Sequence, residues 1–151
     1  MVLNDLLTKQ NVFTKILLTS GEKELPKELK VKIMRIRMAY NKLKKNFDAE
    51  VQEFANELMT DELKELANKS ERTEVEEARY KELSDKVNSE YQEFIIQKGQ
   101  EEIEEIDDTF TMNEYSEILE VNSGNNVEIN GNKIAAADFL EIVCELFVKE
   151  N

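Results

Sequence analysis

PKELKVKIMRIRMAYNKLKKNFDAEVQEFANEL, residues 26–58, decides how this chain folds. Leu29, Ile33, Ile36, Tyr40, Leu43 and Phe47 advance by four and three residues, so their side chains share one side of a 3.6-residue helix. Val51, Phe54 and Leu58 continue the stripe after one residue of drift. Pro26 stands where a first-turn proline removes no hydrogen bond, because that backbone N–H has no intrahelical acceptor. A helix of this length spans about 50 Å, and its apolar stripe requires a second helix to cover it.

The answering stripe is Val75, Tyr80, Leu83, Val87, Tyr91 and Phe94, running to about Gly99. Thr73 with Glu76 three residues on is a capping box that opens it. Between the two stripes, Thr60-Asp61-Glu62 reads as an interruption and a new N-terminus, and Leu63 to Leu66 as another turn or two before Asn68-Lys69-Ser70. Two long helices with a connector of this size fold back as an antiparallel hairpin.

Upstream, Leu3, Leu6, Leu7, Phe13, Ile16 and Leu17 predict a short helix over Leu3–Thr19, with Asn4 as N-cap and Gly21 as a left-handed C-terminal cap. Too short to be stable alone, it must dock on the long helices. Downstream, Gln100 to Asp108 is acidic, with Ile103 and Ile106 its only apolar members, and reads as a frayed helix end or an edge strand. Thr111 with Glu114 is another capping box, opening a helix through Leu119, and Asn122–Asn126 is a loop. Val127-Glu128-Ile129, Asn130-Gly131, Asn132-Lys133-Ile134 is the pattern of a β-hairpin with a type I′ turn. A closing helix over about Ala136 to Lys149 puts Phe139, Leu140, Val143, Leu146 and Phe147 on one face. The expected architecture is mainly α: a helical hairpin with its N-terminal docking helix in residues 1–99, and a small α+β cap containing a β-hairpin in residues 100–151.

Composition agrees with an elongated helical protein. Its 40% hydrophobic residues fall below the usual 45–50% or so, and its 35% charged residues exceed the usual 25% or so. Four Gly and one Pro argue against a loop-rich or all-β fold. Cys144 is the single cysteine, so no intrachain disulfide forms, and its apolar surroundings predict a buried core residue. No run of 18 apolar residues and no signal-peptide pattern occurs, which places the protein in the cytoplasm of the cell that makes it and away from membranes.

Most catalytic chemistry is disfavoured. There is no histidine, the usual general base and metal ligand. The four glycines are too far apart for a phosphate-binding loop. Acid pairs one helical turn apart, Glu50 with Glu53, Glu101 with Glu105 and Glu104 with Asp107, match the spacing of magnesium-dependent all-helical nucleotide hydrolases. In a chain with 33 acids such pairs arise by chance. No catalytic residue, metal ligand or cofactor site is assigned.

Charge is distributed unevenly. Residues 1–45 hold 11 basic and 4 acidic residues, net +7, and residues 46–151 hold 9 and 29, net −20. Lys30, Arg37 and Lys44 repeat every seven residues beside the apolar stripe, as flanking residues do in coiled coils. With Arg35, Lys42 and Lys45 they form the candidate interface. Either acids of the second helix, such as Glu76, Glu82, Glu90 and Glu93, balance them internally, or they meet another copy or another protein. Nucleic acid is disfavoured by the overall negative charge. A charge-separated rod can associate head to tail into rings or filaments.

Leu25-Pro26 opening a helix, the charged hairpin, the acidic Ile103/Ile106 segment and the closing Ile134, Phe139-Leu140, Leu146-Phe147 helix together resemble small helical-hairpin proteins of tailed bacteriophages, over residues 25–148. The resemblance implies a non-enzymatic virion or virion-assembly protein, present in several copies and located in the host cytoplasm before entering the virion. That group has no established site, so no functional residue is carried over. The rival from another class is an acidic regulatory or counter-defence protein that occupies a site on a host protein.

Overall fold

The computed structural model of the chain describes residues 1–149. In order they form α1 (Leu3–Phe13), the two-residue strands β1 (Thr19–Ser20) and β2 (Lys23–Glu24), α2 (Lys27–Leu58), α3 (Asp61–Asn68) and α4 (Glu74–Gly99). Then follow α5 (Met112–Asn122), β3 (Val127–Ile129), β4 (Asn132–Ile134) and α6 (Ala136–Phe147). The architecture is mainly helical with a small α+β segment after the hairpin, as the sequence predicts.

Helices α2 and α4 run antiparallel. Phe54 stacks on Phe94 with ring centroids 4.1 Å apart, and Glu50 pairs with Lys98. Arg79 of α4 forks onto Glu62 of α3 at 2.8 and 3.2 Å. The Thr73 side chain accepts from the Glu76 N–H while Glu76 accepts from the Thr73 N–H, closing the predicted capping box. The pairing is offset, however. Because α4 ends level with Glu50, it covers only the outer part of α2.

The inner part of the same stripe enters a different environment. Leu29, Ile33, Ile36 and Tyr40 are buried in one core with Leu6, Phe13, Ile118, Phe139, Val143 and Phe147. Phe13 lies at its centre, 5.5 Å from Tyr40, 5.8 Å from Phe110 and 5.2 Å from Phe147, ring to ring. Each such buried side chain contributes roughly 1.5–3 kcal/mol. This core draws on residues from both sides of position 100. The outer parts of α2 and α4, with α3, project from it as an arm. The chain exposes 10290 Å², against about 7,900 Å² for a compact monomer of its mass.

The N-terminal segment departs from expectation. α1 ends at Phe13, and Gly21, at φ +63, turns β1 into β2 instead of capping a helix. Asn4 lies within the helix, and Val2 takes the N-cap position with no side-chain hydrogen bond. The helix start is held by another strand-like segment: Leu3 N–H donates to the Glu101 carbonyl at 3.1 Å, and Ile103 N–H to that of Met1 at 3.0 Å. The acidic run is therefore extended chain bridged to the N-terminus. Buried Gly99 lies so close to Asn4 that a Cβ would collide with its amide.

Toward the C-terminus, the Thr111/Glu114 capping box opens α5, which runs three residues past Leu119. Asn130 and Gly131 have φ of +53 and +80, as a type I′ turn requires. Asn122, predicted as loop, is the last residue of α5 and fully buried. Its amide accepts from Leu17 N–H at 2.7 Å and donates to the carbonyls of Leu17 and Ile118 at 3.1 and 2.9 Å. Cys144, predicted as buried, is half-buried. Glu150 and Asn151, the end of the predicted cap, lie outside the described residues.

Candidate functional site

The six basic residues singled out by the sequence separate into two groups on α2. Lys30 pairs with Glu24, and Lys44 with Asp48 one turn on at 2.7 Å. Arg37 donates to the Ile16 carbonyl; its Nε is buried without a partner, and burial lowers its pKa. The heptad trio is thus engaged within the chain. Arg35, Lys42 and Lys45 are exposed and make no ion pair among the described residues.

The expected balance by acids of α4 is corrected. Glu76 holds Lys69 and Glu82 holds Arg79. Among the described residues, the one ion pair between α2 and α4 has the opposite polarity, acid on α2 and base on α4, Glu50 with Lys98. The reason is the offset: the basic half of α2 lies beyond the end of α4. Its ion-pair partners come instead from Glu24, Glu114 and Asp48, and Glu104, Glu105 and Asp107 of the extended run share a cleft of about 390 Å³ with Arg35, Lys42, Leu43 and Ile106.

Between the free cations lies a feature the sequence reading passed over. Val31, Met34 and Met38 are 45%, 53% and 70% exposed. Their spacing of three and four puts them on one line with Lys27 and Lys45, opposite the buried Leu29, Ile33, Ile36 and Tyr40. α2 therefore has two apolar stripes. The signal was present as a second set of apolar positions at helical spacing, masked by the stronger set. Single exposed apolar residues are ordinary, but a valine and two methionines aligned on one helix line and framed by cations without an ion pair among the described residues form a surface suited to contact.

Another concave region, about 720 Å³, is lined by Met1, Asp5, Lys9, Glu105, Asp108 and Lys149 among others. Its buried carboxylate, Asp108, is held by the Tyr40 hydroxyl and by Lys9 at 3.4 Å. Burial, and then Asp108, push the Tyr40 phenol above its ordinary range. With both donors spent on Asp108, this cluster anchors the fold. Among the described residues no three acidic or cysteine side chains converge to hold a metal. Glu50 and Glu101, each from a candidate acid pair, are both engaged by Lys98.

No helix among the described residues is long and apolar enough to cross a membrane. No protein-family model, curated protein or solved structure matches the chain.

Proposed function

We propose that this chain is a non-enzymatic structural or assembly protein of a tailed bacteriophage, acting in several copies through helix-mediated contacts. The observation that carries the proposal is the outer face of α2, where Val31, Met34 and Met38 are exposed between the unpaired cations Arg35, Lys42 and Lys45. Such a face gains from burial against another protein. Each methionine brings apolar area without rigid shape, and the cations orient an acidic partner. The surface area, well above that of a compact monomer, also suits a molecule completed by its neighbours.

Quantitative mass spectrometry of purified particles tests the role. A structural component co-purifies at fixed copy number; an assembly factor is found in precursor particles at fixed copy number and is lost on maturation. Absence from both overturns the proposal and favours an acidic regulator acting on a host protein.

A further inference from the structure

We infer that the partner of this face is a second copy of the same chain: the Val31/Met34/Met38 ridge of one protomer lies along the half-covered α2–α4 seam of the next. The inference deepens the assembly role proposed above and rests on it for its biological meaning, but its physical basis is separate.

The seam is the incomplete part of the fold. Phe54 of α2 stacks on Phe94 of α4, and Val51, Leu58 and Tyr91 flank that pair, while Leu83 and Val87 lie further along α4 toward α3; none of these residues is buried. On α4 only Gly99, where it meets α1, is buried. Two helices in contact cover only one side of each stripe, whereas a third helix laid along their groove covers the remainder. The ridge gathers three of the exposed large apolar residues on one line of one helix, and it has the shape required. Val31 to Lys45 spans about 21 Å and α4, which lies along the end of α2 and then along α3, about 39 Å at 1.5 Å per residue, so the ridge fits along the arm.

Charge selects the pairing. Residues 48–98, which make up the arm, hold 15 acids and 7 bases, net −8, so two arms repel one another. Ridge against ridge likewise sets Arg35, Lys42 and Lys45 against their own copies. Ridge against arm brings those cations toward Glu53, Glu57 and Glu90, which border the seam at helical spacing from Phe54 and Phe94 and make no ion pair among the described residues. A nucleic acid or an anionic lipid surface also carries the charge to meet the ridge, but the net −13 of the molecule opposes its approach, and neither covers the seam. Ridge and seam are different surfaces, so two copies can satisfy both contacts reciprocally in a two-fold dimer, or each added protomer leaves one of each free. The assembly closes as a two-fold dimer or a larger ring, or grows as a filament.

The test is sedimentation and native mass of the full chain over micromolar to millimolar concentration. The expected result is concentration-dependent self-association, weakened at least about tenfold by Met38→Glu. Assembly should be abolished by Arg35→Glu/Lys42→Glu/Lys45→Glu and equally by Glu53→Lys/Glu57→Lys/Glu90→Lys. Mixing the two reversed variants restores association, because each retains one surface that fits the other. All these positions are solvent-facing or at the seam's margin, and unchanged circular dichroism verifies folding. A chain that stays monomeric throughout, or one whose assembly responds to the ridge changes but not to the seam changes, overturns the inference. A monomeric chain found in particles at fixed copy number removes self-contact and leaves the assembly role standing. A self-assembling chain absent from particles does the reverse.

Discussion

The hydroxyl of Tyr40, near the middle of α2, donates to the buried carboxylate of Asp108, 68 residues further along the chain. Lys9 of α1 approaches the same oxygen at 3.4 Å. One carboxylate thereby ties the long helix, the N-terminal helix and the extended acidic run. Tyr40→Phe keeps the ring beside Phe13 but leaves Asp108 with Lys9 alone, and is expected to lower unfolding free energy by about 1–3 kcal/mol in urea titrations.

The same pair has a consequence at high pH. Burial, and then Asp108, raise the Tyr40 phenol above its ordinary value, near 10 for a free tyrosine. A raised pKa in the folded state means that the stabilisation is complete below the ordinary value and is lost as pH rises beyond it. In an ultraviolet phenolate titration, Tyr40 is expected to ionise last and together with unfolding. That late step should be missing from Tyr40→Phe; if it persists unchanged, Tyr40 is not its source.

Glu114 responds at the acid end. Burial, the largest single influence, pushes its carboxyl up, but the Thr111 N–H and Lys32, at 2.9 Å, together outweigh it and leave the pKa below the ordinary value. A depressed pKa stabilises above the ordinary carboxylate range and ceases to do so as pH falls through the folded value. Glu114→Gln retains the capping acceptor and removes the charge, so the expected cost at neutral pH is about 0.2–1 kcal/mol, disappearing as pH falls through the folded value. Glu114→Ala also loses the cap and should cost about 1 kcal/mol more. Urea midpoints measured across pH test both.

Asn122 is expected to be among the most sensitive polar positions. Its amide satisfies the N–H and carbonyl of Leu17, and no aspartate reproduces both roles. Asn122→Asp keeps an acceptor but faces the Leu17 and Ile118 carbonyls with negative charge, whereas Asn122→Leu strands the backbone groups of Leu17. Each stranded group costs about 1–3 kcal/mol, so both variants should unfold at clearly lower denaturant, with amide exchange at Leu17 accelerated first.

Gly99 closes the joint between α4 and α1. Gly99→Ala forces Asn4 to move, and an expected loss of about 1–3 kcal/mol follows from overpacking. Asn4→Ala removes the obstructing amide, so the double variant should recover part of that loss. A double-mutant cycle with no coupling would show that the two side chains do not meet.

Local order is the part determined by sequence alone. The two long helices, the Thr73/Glu76 and Thr111/Glu114 caps and the Asn130-Gly131 turn depend on residues within a few positions of each other and appear where their spacing predicts, whereas α1 ends six residues before the predicted Thr19. Periodicity also identified the buried face of α2, but it reports only that a face is apolar and says nothing of what covers it. Tertiary structure decided that one stripe would serve both a core and an arm, since helix α4 stops level with Glu50 and aromatic residues from α1 and the C-terminal segment fill the space beyond. It likewise decided which cations are satisfied: Lys30, Arg37 and Lys44 find internal partners, while Arg35, Lys42 and Lys45 do not. Charges interact through space, and the distance between an α2 lysine and an α4 glutamate is set by helix register, which no residue spacing within either helix contains.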